Sequence, residues 1–249
     1  MLINRRNALF GGKRLPYDAE VEWVYMPYGS YLNTGFYGVD YSDFDISLTV
    51  KADGYPEAAA TLVGAYGTST SGGRSGGVII RQYPSGTIQS YVGSNFTSTD
   101  ITRAMSMPSN FFTARLTTLG FYVENVLVGT NFDVSTWDSS RMNYEGLWFC
   151  VNGRKDWRWT GQEPQKGVLC NAAGWYKGVR ILNSGILVRD LIPVRRTLDG
   201  VSVGEMYDRV TGTFMERHGT FVIGADVASG ASAANYAVDK ARFNLPDAT

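Results

Sequence analysis

The chain has 249 residues, of which 18% are charged and 13% aromatic, together with 29 glycines. Few charges, many rings and many turn formers exclude a helical bundle and favour one large β-sandwich. The 23 basic residues balance the 23 acidic ones, so the chain lacks the positive field that non-specific nucleic-acid binding requires. No apolar run approaches the roughly 20 residues that a membrane-spanning helix needs, which excludes membrane insertion of that kind.

The two cysteines, Cys150 and Cys170, exclude two further kinds of site. They are too few for a disulfide framework, and they lack the Cys-x-x-Cys spacing that is typical of a zinc site. We interpret both as free thiols buried in strands.

The first 14 residues are polar and basic, which predicts an N-terminal arm outside the core. Such an arm either frays or lies on a neighbouring subunit. Arg5 and Arg6 are not followed by the apolar stretch of a Sec signal peptide, so no signal peptide is predicted.

Alternating residues predict the first strands. Residues 20–36 are typical of a strand pair whose two faces carry Val21, Trp23 and Tyr25 on one side and Glu22, Val24 and Met26 on the other. In residues 43–50 every second residue is apolar, which predicts a half-buried strand. The Gly-, Ser- and Thr-rich residues 64–77 predict either a hairpin tip or a loop whose bare backbone approaches a ligand.

The middle of the chain continues as a meander of short strands. These cover residues 88–92, 111–119 and 121–128, with turn candidates at 119–120 and 124–125. Residues 146–151 lose the alternation, which predicts a strand in the middle of a sheet, buried on both faces. A hairpin follows at residues 179–194, around a turn at 183–185.

The stretch from residue 185 to residue 224 is cut into short strands by Asp199-Gly200, Gly212 and Gly219, because glycine enters positive φ freely. Beyond it, residues 225–249 are rich in Ala, Ser and Gly and cannot build a core alone. This C-terminal tail frays, forms one short helix over residues 231–241, or packs on another chain through Phe243 and Leu245; the sequence leaves all three open.

Two separated motifs carry a resemblance. Residues 187–221 follow the pattern LVRDLIPVRR-x-x-DG-x-x-x-GEMYD-x-x-x-G-x-F-x-x-x-x-G-x-F, and residues 15–36 read LPYDAEVEWVYMPYGSYLNTGF. Together they resemble the closing and opening segments of the concanavalin A-like, laminin G-like jelly-roll proteins of bacteriophages and prophages. The resemblance implies one antiparallel jelly-roll β-sandwich over residues 15–224. It also implies structural roles in the closing motif, with the Tyr207 ring filling the core and Asp208 accepting turn N–H groups.

The sequence offers no catalytic constellation. A retaining glycosidase needs two carboxyl groups about 5 Å apart, and jelly-roll glycosidases commonly carry them in a Glu-x-Asp-x-x-Glu or Glu-x-Asp-x-Glu string, which this chain lacks. Glu205 and Asp208 are three apart, which predicts opposite strand faces. Asp43 and Asp45 share a face and are interpreted as solvent-facing charges. His218, the only histidine, is predicted to be a turn residue. We therefore predict no enzymatic activity.

The best candidate for ligand binding is the insertion at residues 152–161. Trp157 and Trp159 project on one face of an extended backbone, where paired indoles can stack on sugar rings while polar neighbours bind hydroxyl groups. The predicted ligand-binding residues are Asn152, Arg154, Asp156, Trp157 and Trp159. Alternatively, the tryptophans cap the core, packed by Arg154 or Arg158 through cation–π contacts. Trp175 and Tyr176 are expected to be buried by the following strand.

No cofactor is predicted, although calcium on a loop rim is a further hypothesis for a laminin G-like fold. Its candidate oxygen ligands lie in one loop region, and they are Asn131, Asp133, Asp138 and Asn143. Loops are also rich in Asp and Asn for reasons of turn geometry alone.

These features and the resemblance lead to three functional hypotheses. The first is a non-enzymatic virion component (tail, fibre or head decoration) made in the bacterial cytoplasm, displayed on the particle and binding host-surface glycan. Its end segments would hold other virion proteins or further copies of itself, as a homo-oligomer. The second is a purely structural decoration or assembly domain without a ligand. The third is a glycan-cleaving enzyme.

Overall fold

The computed structural model describes residues 15–36, 43–54, 60–68, 74–93, 101–130, 148–149, 153–154 and 172–227. All regular elements in these ranges are strands. In chain order they are β1 (Ala19–Glu20), β2 (Val24–Met26), β3 (Tyr31–Asn33), β4 (Phe44–Ala52), β5 (Ala60–Thr68), β6 (Arg74–Gln82), β7 (Thr87–Gly93), β8 (Ile101–Ser106), β9 (Phe112–Thr117), β10 (Gly120–Val123), β11 (Val126–Thr130), β12 (Trp148–Phe149), β13 (Gly153–Arg154), β14 (Gly174–Asn183), β15 (Ile186–Leu198), β16 (Val201–Asp208), β17 (Thr213–Phe214), β18 (Glu216–His218) and β19 (Val222–Ile223).

The strands form two sheets. Sheet A has the order β11-β10-β9-β4-β14-β15-β16-β17, with β1 beside β15 and with β2 beside β14 and β19. Sheet B has the order β18-β3-β12-β5-β6-β7-β8, with β13 beside β5. Among the described strands, only the β13–β5 pairing is parallel. The predicted all-β antiparallel sandwich is confirmed, and so is the mid-sheet place of residues 148–149, because β12 pairs with both β3 and β5.

Alternation in β4 shows how the sequence builds the core. Phe44, Ile46, Leu48 and Val50 are buried, while the residues between them are only partly buried. The buried face belongs to one apolar cluster that also contains Leu62 and Ile80 of sheet B. The core therefore lies between the two sheets, and every second residue of β4 faces away from it on the outside of sheet A.

Three predicted hairpin turns are present with the backbone geometry that tight turns require. Glu124 and Asn125 have φ of 51° and 63°, Ser184 and Gly185 have 51° and 71°, and Asp199 and Gly200 have 49° and 80°. Positive φ at both central residues is typical of type I′ turns, whose twist matches that of the flanking strands. These turns connect β10 to β11, β14 to β15 and β15 to β16.

The predicted alternation of residues 20–36 is wrong in phase. Val21 is buried with Val24 and Met26, whereas Trp23 and Tyr25 are only half-buried. The reason is a change of neighbour, since β1 pairs with β15 and β2 pairs with β14 and β19. The three residues between β1 and β2 absorb the shift, so strict alternation does not extend across them.

The strands of sheet B bear on two further predictions. The glycine-rich segment 64–77 belongs to an antiparallel hairpin, the first of its two predicted alternatives, and most of it is strand because β5 extends to Thr68 and β6 begins at Arg74. The tip itself, residues 69–73, lies outside the described residues, whereas the prediction for His218 is wrong. His218 is the last residue of β18 rather than a turn residue, and its ring stacks on Tyr31 with centroids 4.0 Å apart. The turn follows at Gly219, where φ is 89°.

The two sequence motifs meet through Arg189 of β15. Its guanidinium donates to the backbone oxygens of Thr34 (2.8 Å) and Gly35 (3.0 Å), and its Nε lies 3.6 Å from Asp208 Oδ2. Asp208 is fully buried and accepts hydrogen bonds from the backbone N–H groups of Asp190 and Val210 and from the Thr211 hydroxyl. The implied role of Asp208 as an acceptor for turn N–H groups is confirmed.

The implied role of Tyr207 is wrong. Met206 is the fully buried core residue of this strand, and Tyr207 is only half-buried. Neighbouring residues on a strand point to opposite faces, so the Tyr207 side chain lies on the outer face of sheet A. Its ring makes edge contacts with the rings of Tyr17 and Phe214. The same rule applies to Glu205 and Asp208, whose odd spacing puts them on opposite faces, as predicted.

Two segments near the ends of the described sequence pair with each other in sheet A. Residues 222–227 run antiparallel to residues 20–25, with Val222 opposite Tyr25 and Val21 opposite Asp226. The backbone N–H of Val227 donates to the backbone oxygen of Glu20 at 2.9 Å, so residues 225–227 of the predicted tail continue this pairing. The rest of the tail, residues 228–249, and the arm, residues 1–14, lie outside the described residues, as do Cys150 and Cys170.

We expect Ser90→Ala to raise the free energy of unfolding by about 0.5–1.5 kcal/mol, since an unbonded buried polar group carries a desolvation penalty. Ser90 is fully buried, opposite Ile80, and its hydroxyl has no hydrogen-bond partner in the described part of the chain. Urea unfolding measures the change. The matched control is Thr117→Val, because the buried Thr117 hydroxyl accepts from Leu119 N and Gly120 N. That variant should be destabilised, and destabilisation of Ser90→Ala to the same extent would contradict the assignment.

Candidate functional site

The outer face of sheet A carries a polar groove of about 850 Å³. Alternation places Asp45, Ser47 and Thr49 of β4 on this face, and Thr113 and Arg115 of β9 lie beside them. Strands β14 and β15 and the segment 20–22 complete the lining. We call this feature the outer groove.

The groove lies where two neighbouring strands separate. β14 pairs with β15 only up to Val179 and Leu191. Beyond that point β15 pairs with β1, and β14 pairs with β2. Val179, Leu191 and Pro193 line the groove at this fork, and Glu20, Val21 and Glu22 of the inserted chain line it as well. The groove therefore depends on the pairing of β1 with β15 and of β2 with β14, as well as on the side chains of each strand.

Arg115 and Asp45 form a bidentate ion pair in the groove. Arg115 Nε donates to Asp45 at 2.9 Å, and Nη2 donates at 2.6 Å. The hydrogen bond to Asp45 raises the pKa of the Arg115 guanidinium above its usual value. Asp45 thus lies on the outer face as predicted, but it is paired with Arg115 and is not a purely solvated charge.

A second charge cluster lies on β14 and β15. The Asp190 side chain is only 3% exposed, and it accepts from Arg180 at 3.3 Å and from Arg209 at 2.5 Å. Two guanidinium groups on one buried carboxylate satisfy its oxygens and hold this part of the lining rigid.

Glu20 connects the groove to the outer aromatic residues. Its Oε1 accepts a hydrogen bond of 3.0 Å from the Tyr17 hydroxyl. Burial, together with the charge of Glu20, raises the pKa of Tyr17 well above its usual value. Tyr17 therefore stays protonated and acts as a donor that orients this carboxylate of the groove.

An aromatic pair lies on the same face of sheet A as the groove. Trp175 and Tyr25 occupy paired positions on β14 and β2, and their ring centroids are 4.7 Å apart. The Lys51 ammonium lies 4.9 Å from the Trp175 ring, and the Tyr25 hydroxyl donates to Asp53 at 2.5 Å. Both rings are half-buried, so each keeps some exposed apolar surface beside polar groups.

The expectation that Trp175 and Tyr176 are both buried is corrected for Trp175. Tyr176 is fully buried in the core, and its hydroxyl donates to the backbone oxygen of Leu62 in β5 at 3.1 Å. Trp175 is its neighbour on the strand and therefore points to the opposite, outer face. The paired indoles predicted at positions 157 and 159 are a separate set.

Most of the predicted site residues lie outside the described residues. These are Asn152, Asp156, Trp157 and Trp159, and the calcium candidates Asn131, Asp133, Asp138 and Asn143. For Arg154 the structure describes the backbone, which pairs with Tyr66 of β5. Within the described ranges, no three His, Cys, Asp or Glu side chains are grouped so that they could hold a metal ion. In the same ranges, no helix is long and apolar enough to cross a membrane.

The outer groove was not predicted from the sequence, although one signal for it was present. Residues 43–50 alternate strictly, and their polar positions are Asp, Ser and Thr rather than the Lys and Glu that often fill a solvated face. Short hydroxyl and carboxyl side chains leave room above a sheet. The fork between β14 and β15 has no comparable local signal, because it is made by residues far apart in the chain.

No family model matches the sequence, and no curated protein matches it. Among solved structures, the chain is similar to a proposed carbohydrate-binding protein from Bacteroides ovatus, with a TM-score of 0.50 and 14% identity over 85% of this chain and 62% of that one. It is also similar to a heptameric SAP-like pentraxin of Limulus polyphemus (TM-score 0.37, 9% identity, 68% and 71% of the two chains). A mutant sialidase of Streptococcus pneumoniae gives a TM-score of 0.42 and 13% identity over 83% and 39%.

The likeness to the Bacteroides ovatus protein concerns the fold. Both chains are β-sandwiches of the lectin-like, jelly-roll type, which agrees with the two sheets described above. The present chain spans about three-fifths of that protein's length, 62%.

Proposed function

We propose that this protein is a non-enzymatic structural component of a phage or prophage particle and that its sandwich binds host-surface glycan on the outer face of sheet A. The observation that carries the binding proposal is the half-buried Trp175 on the same face of sheet A as the polar groove. Sugar rings have apolar C–H faces and hydroxyl edges. A site that combines an aromatic surface with a few placed polar groups fits both.

Two further observations support binding rather than cleavage. The groove carboxylates Asp45 and Asp190 are both held by arginines, so each is committed to an ion pair. Glu205 and Asp208 lie on opposite faces of β16. A glycosidase requires two carboxyl groups facing each other across the scissile bond, and neither pair supplies that arrangement.

The place in a phage particle is supported by the two resembling motifs, which Arg189 and Asp208 bring together in the fold. The Bacteroides ovatus protein that shares the fold is a proposed carbohydrate-binding protein, which supports the ligand class. In this proposal the arm and the tail attach the sandwich to other virion proteins or to further copies of the chain. The segment 152–159, with Trp157 and Trp159, provides a second surface for glycan.

We expect Trp175→Ala to weaken glycan binding about tenfold, equivalent to about 1.4 kcal/mol, through loss of one stacking surface. The measurement is binding to an array of bacterial surface oligosaccharides, followed by titration of the best ligand. Tyr28→Ala is the matched control, because Tyr28 is 75% exposed on the β2–β3 turn and its loss should leave binding unchanged. A urea midpoint for each variant verifies folding.

The double variant Trp157→Ala/Trp159→Ala separates the two surfaces. Loss of binding in that variant alone would move the site to the segment 152–159 and contradict the outer-face proposal. Absence of binding by the parent protein would remove the glycan function and leave a decoration or assembly domain. Release of reducing ends from the polysaccharide would show cleavage instead.

A further inference from the structure

The charges that line the outer groove balance. Its acidic residues are Glu20, Glu22, Asp45 and Asp190, and its basic residues are Arg115, Lys177, Arg180 and Arg209. Four negative charges therefore face four positive ones in the lining. A groove without surplus charge does not concentrate ions of either sign.

Two of the arginine edges that could bind an acidic sugar are already occupied, namely the Nε/Nη2 edges of Arg115 and Arg209. A guanidinium recognises a carboxylate or sulfate best through two parallel N–H bonds. Arg115 uses Nε and Nη2 on Asp45, and Arg209 uses Nε and Nη2 on Asp190. Arg180 directs its Nε to Asp190 as well. The Nε side of each of these three arginines is therefore committed to a carboxylate of the groove itself.

What remains in the lining suits hydroxyl groups. The Thr49 and Thr113 hydroxyls lie 3.2 Å apart, and each can both donate and accept. Carboxylate oxygens accept hydrogen bonds from sugar hydroxyls, while guanidinium and ammonium groups donate to them. Lys177 lies over the Phe111 ring at 4.3 Å and adds a single point charge, with Glu22 as its counterpart in the lining.

From these observations, and resting on the proposed glycan function, we infer that the outer groove selects uncharged saccharides and discriminates against glycans that carry uronate, sialate or sulfate groups. The discrimination follows from the balanced charges and from the ion pairs within the groove. An acidic group would be desolvated there without a surplus positive charge, and the Nε/Nη2 edges of Arg115 and Arg209 are already used by Asp45 and Asp190. The ligand class is therefore a neutral hexose or N-acetylhexosamine oligomer.

The test compares neutral and uronate-bearing oligosaccharides of matched length, titrated into the full chain at low and high salt. We expect the neutral ligands to bind at least about tenfold more tightly, with a change of less than about threefold between 50 and 300 mM NaCl because no net charge is screened. Tighter binding of the acidic ligands, weakened steeply by salt, would overturn the inference while leaving the glycan function intact. Binding of neither class would overturn the glycan function itself.

Asp45→Asn is expected to improve the binding of acidic saccharides and provides a second test. It removes the carboxylate that occupies the Nε/Nη2 edge of Arg115, so the ratio of uronate to neutral binding should rise about tenfold through a new charge-assisted bidentate contact. Glu216→Gln is the matched control, because Glu216 is an exposed acid on β18 of the other sheet. An unchanged ratio of uronate to neutral binding in Asp45→Asn, or an equal rise of that ratio in both variants, would contradict the proposed role of the Arg115–Asp45 ion pair.

Discussion

Asp208→Ala should lower the free energy of unfolding by about 3–5 kcal/mol, the usual cost of removing one partner from a buried ion pair. Asp208 has no exposed surface and accepts hydrogen bonds from Asp190 N at 2.9 Å, Val210 N at 3.0 Å and Thr211 Oγ1 at 2.8 Å. Its loss leaves these donors unpaired and removes the negative charge beside Arg189. Since Arg189 also holds Thr34 and Gly35, the variant loosens the junction of the opening and closing motifs.

Urea unfolding with midpoint and slope measures this effect. Asp226→Ala is the matched control, because Asp226 forms a surface pair of 2.8 Å with Arg195, and that pair should contribute less than about 1 kcal/mol. Asp208→Asn keeps the size of the side chain but exchanges one acceptor oxygen for a donor, so it should fall between the two. Equal stabilities for the Asp208 and Asp226 alanine variants would show that the buried network does not hold the motifs together.

Gly219→Ala is expected to cost about 2–5 kcal/mol, combining the backbone strain of a non-glycine residue at positive φ with overpacking. Gly219 has φ of 89° after β18. A Cβ there would overlap the Ser30 hydroxyl and lie 3.0 Å from Ser30 Cβ and 3.3 Å from its Cα. Ser30 is itself buried, so it has little room to move away.

Gly200→Ala separates the two contributions. Gly200 has φ of 80° in the β15–β16 turn, and a Cβ there would meet no atom within 4 Å. It should cost only the strain, about 1–2 kcal/mol. The double variant Ser30→Gly/Gly219→Ala should recover part of the loss, measured against Ser30→Gly alone. A Gly219→Ala protein as stable as Gly200→Ala would mean that Ser30 does not restrict this position.

The sequence predicted correctly those features of the fold that depend only on a few adjacent residues. The alternation of β4 and the turn residues Asn125, Gly185 and Gly200 correctly indicated a buried strand face and three hairpins. Each rests on a property of a few adjacent residues, namely side-chain period or access to positive φ. The opening motif was predicted less well, because its alternation changes phase between β1 and β2 where the chain moves to a different neighbour.

The candidate site was less predictable than the sandwich. Trp175 could be placed on the outer face only once Tyr176 was known to reach Leu62 across the core. The outer groove required the separation of β14 from β15, and the segment 20–26 that lies between them is far away in the sequence, since Met26 pairs with Gly174 and Glu20 pairs with Val194. The resemblance correctly indicated a structural strand at residues 201–208, but it put the wrong residue in the core. In the structure Met206 occupies the core position, and Tyr207 lies on the opposite face of the strand.

The pairing of residues 20–25 with residues 222–227 has a geometric consequence for any larger assembly. The backbones of Glu20 and Val227 are joined by one hydrogen bond of 2.9 Å, so these residues, near the two ends of the described sequence, lie about one strand spacing apart, close to 5 Å. A molecule that contacts this seam would touch both segments at once. That contact would lie beside Glu20, Glu22 and Val227 of the groove lining, with Asp45 and Arg115 on the strands β4 and β9 farther from it.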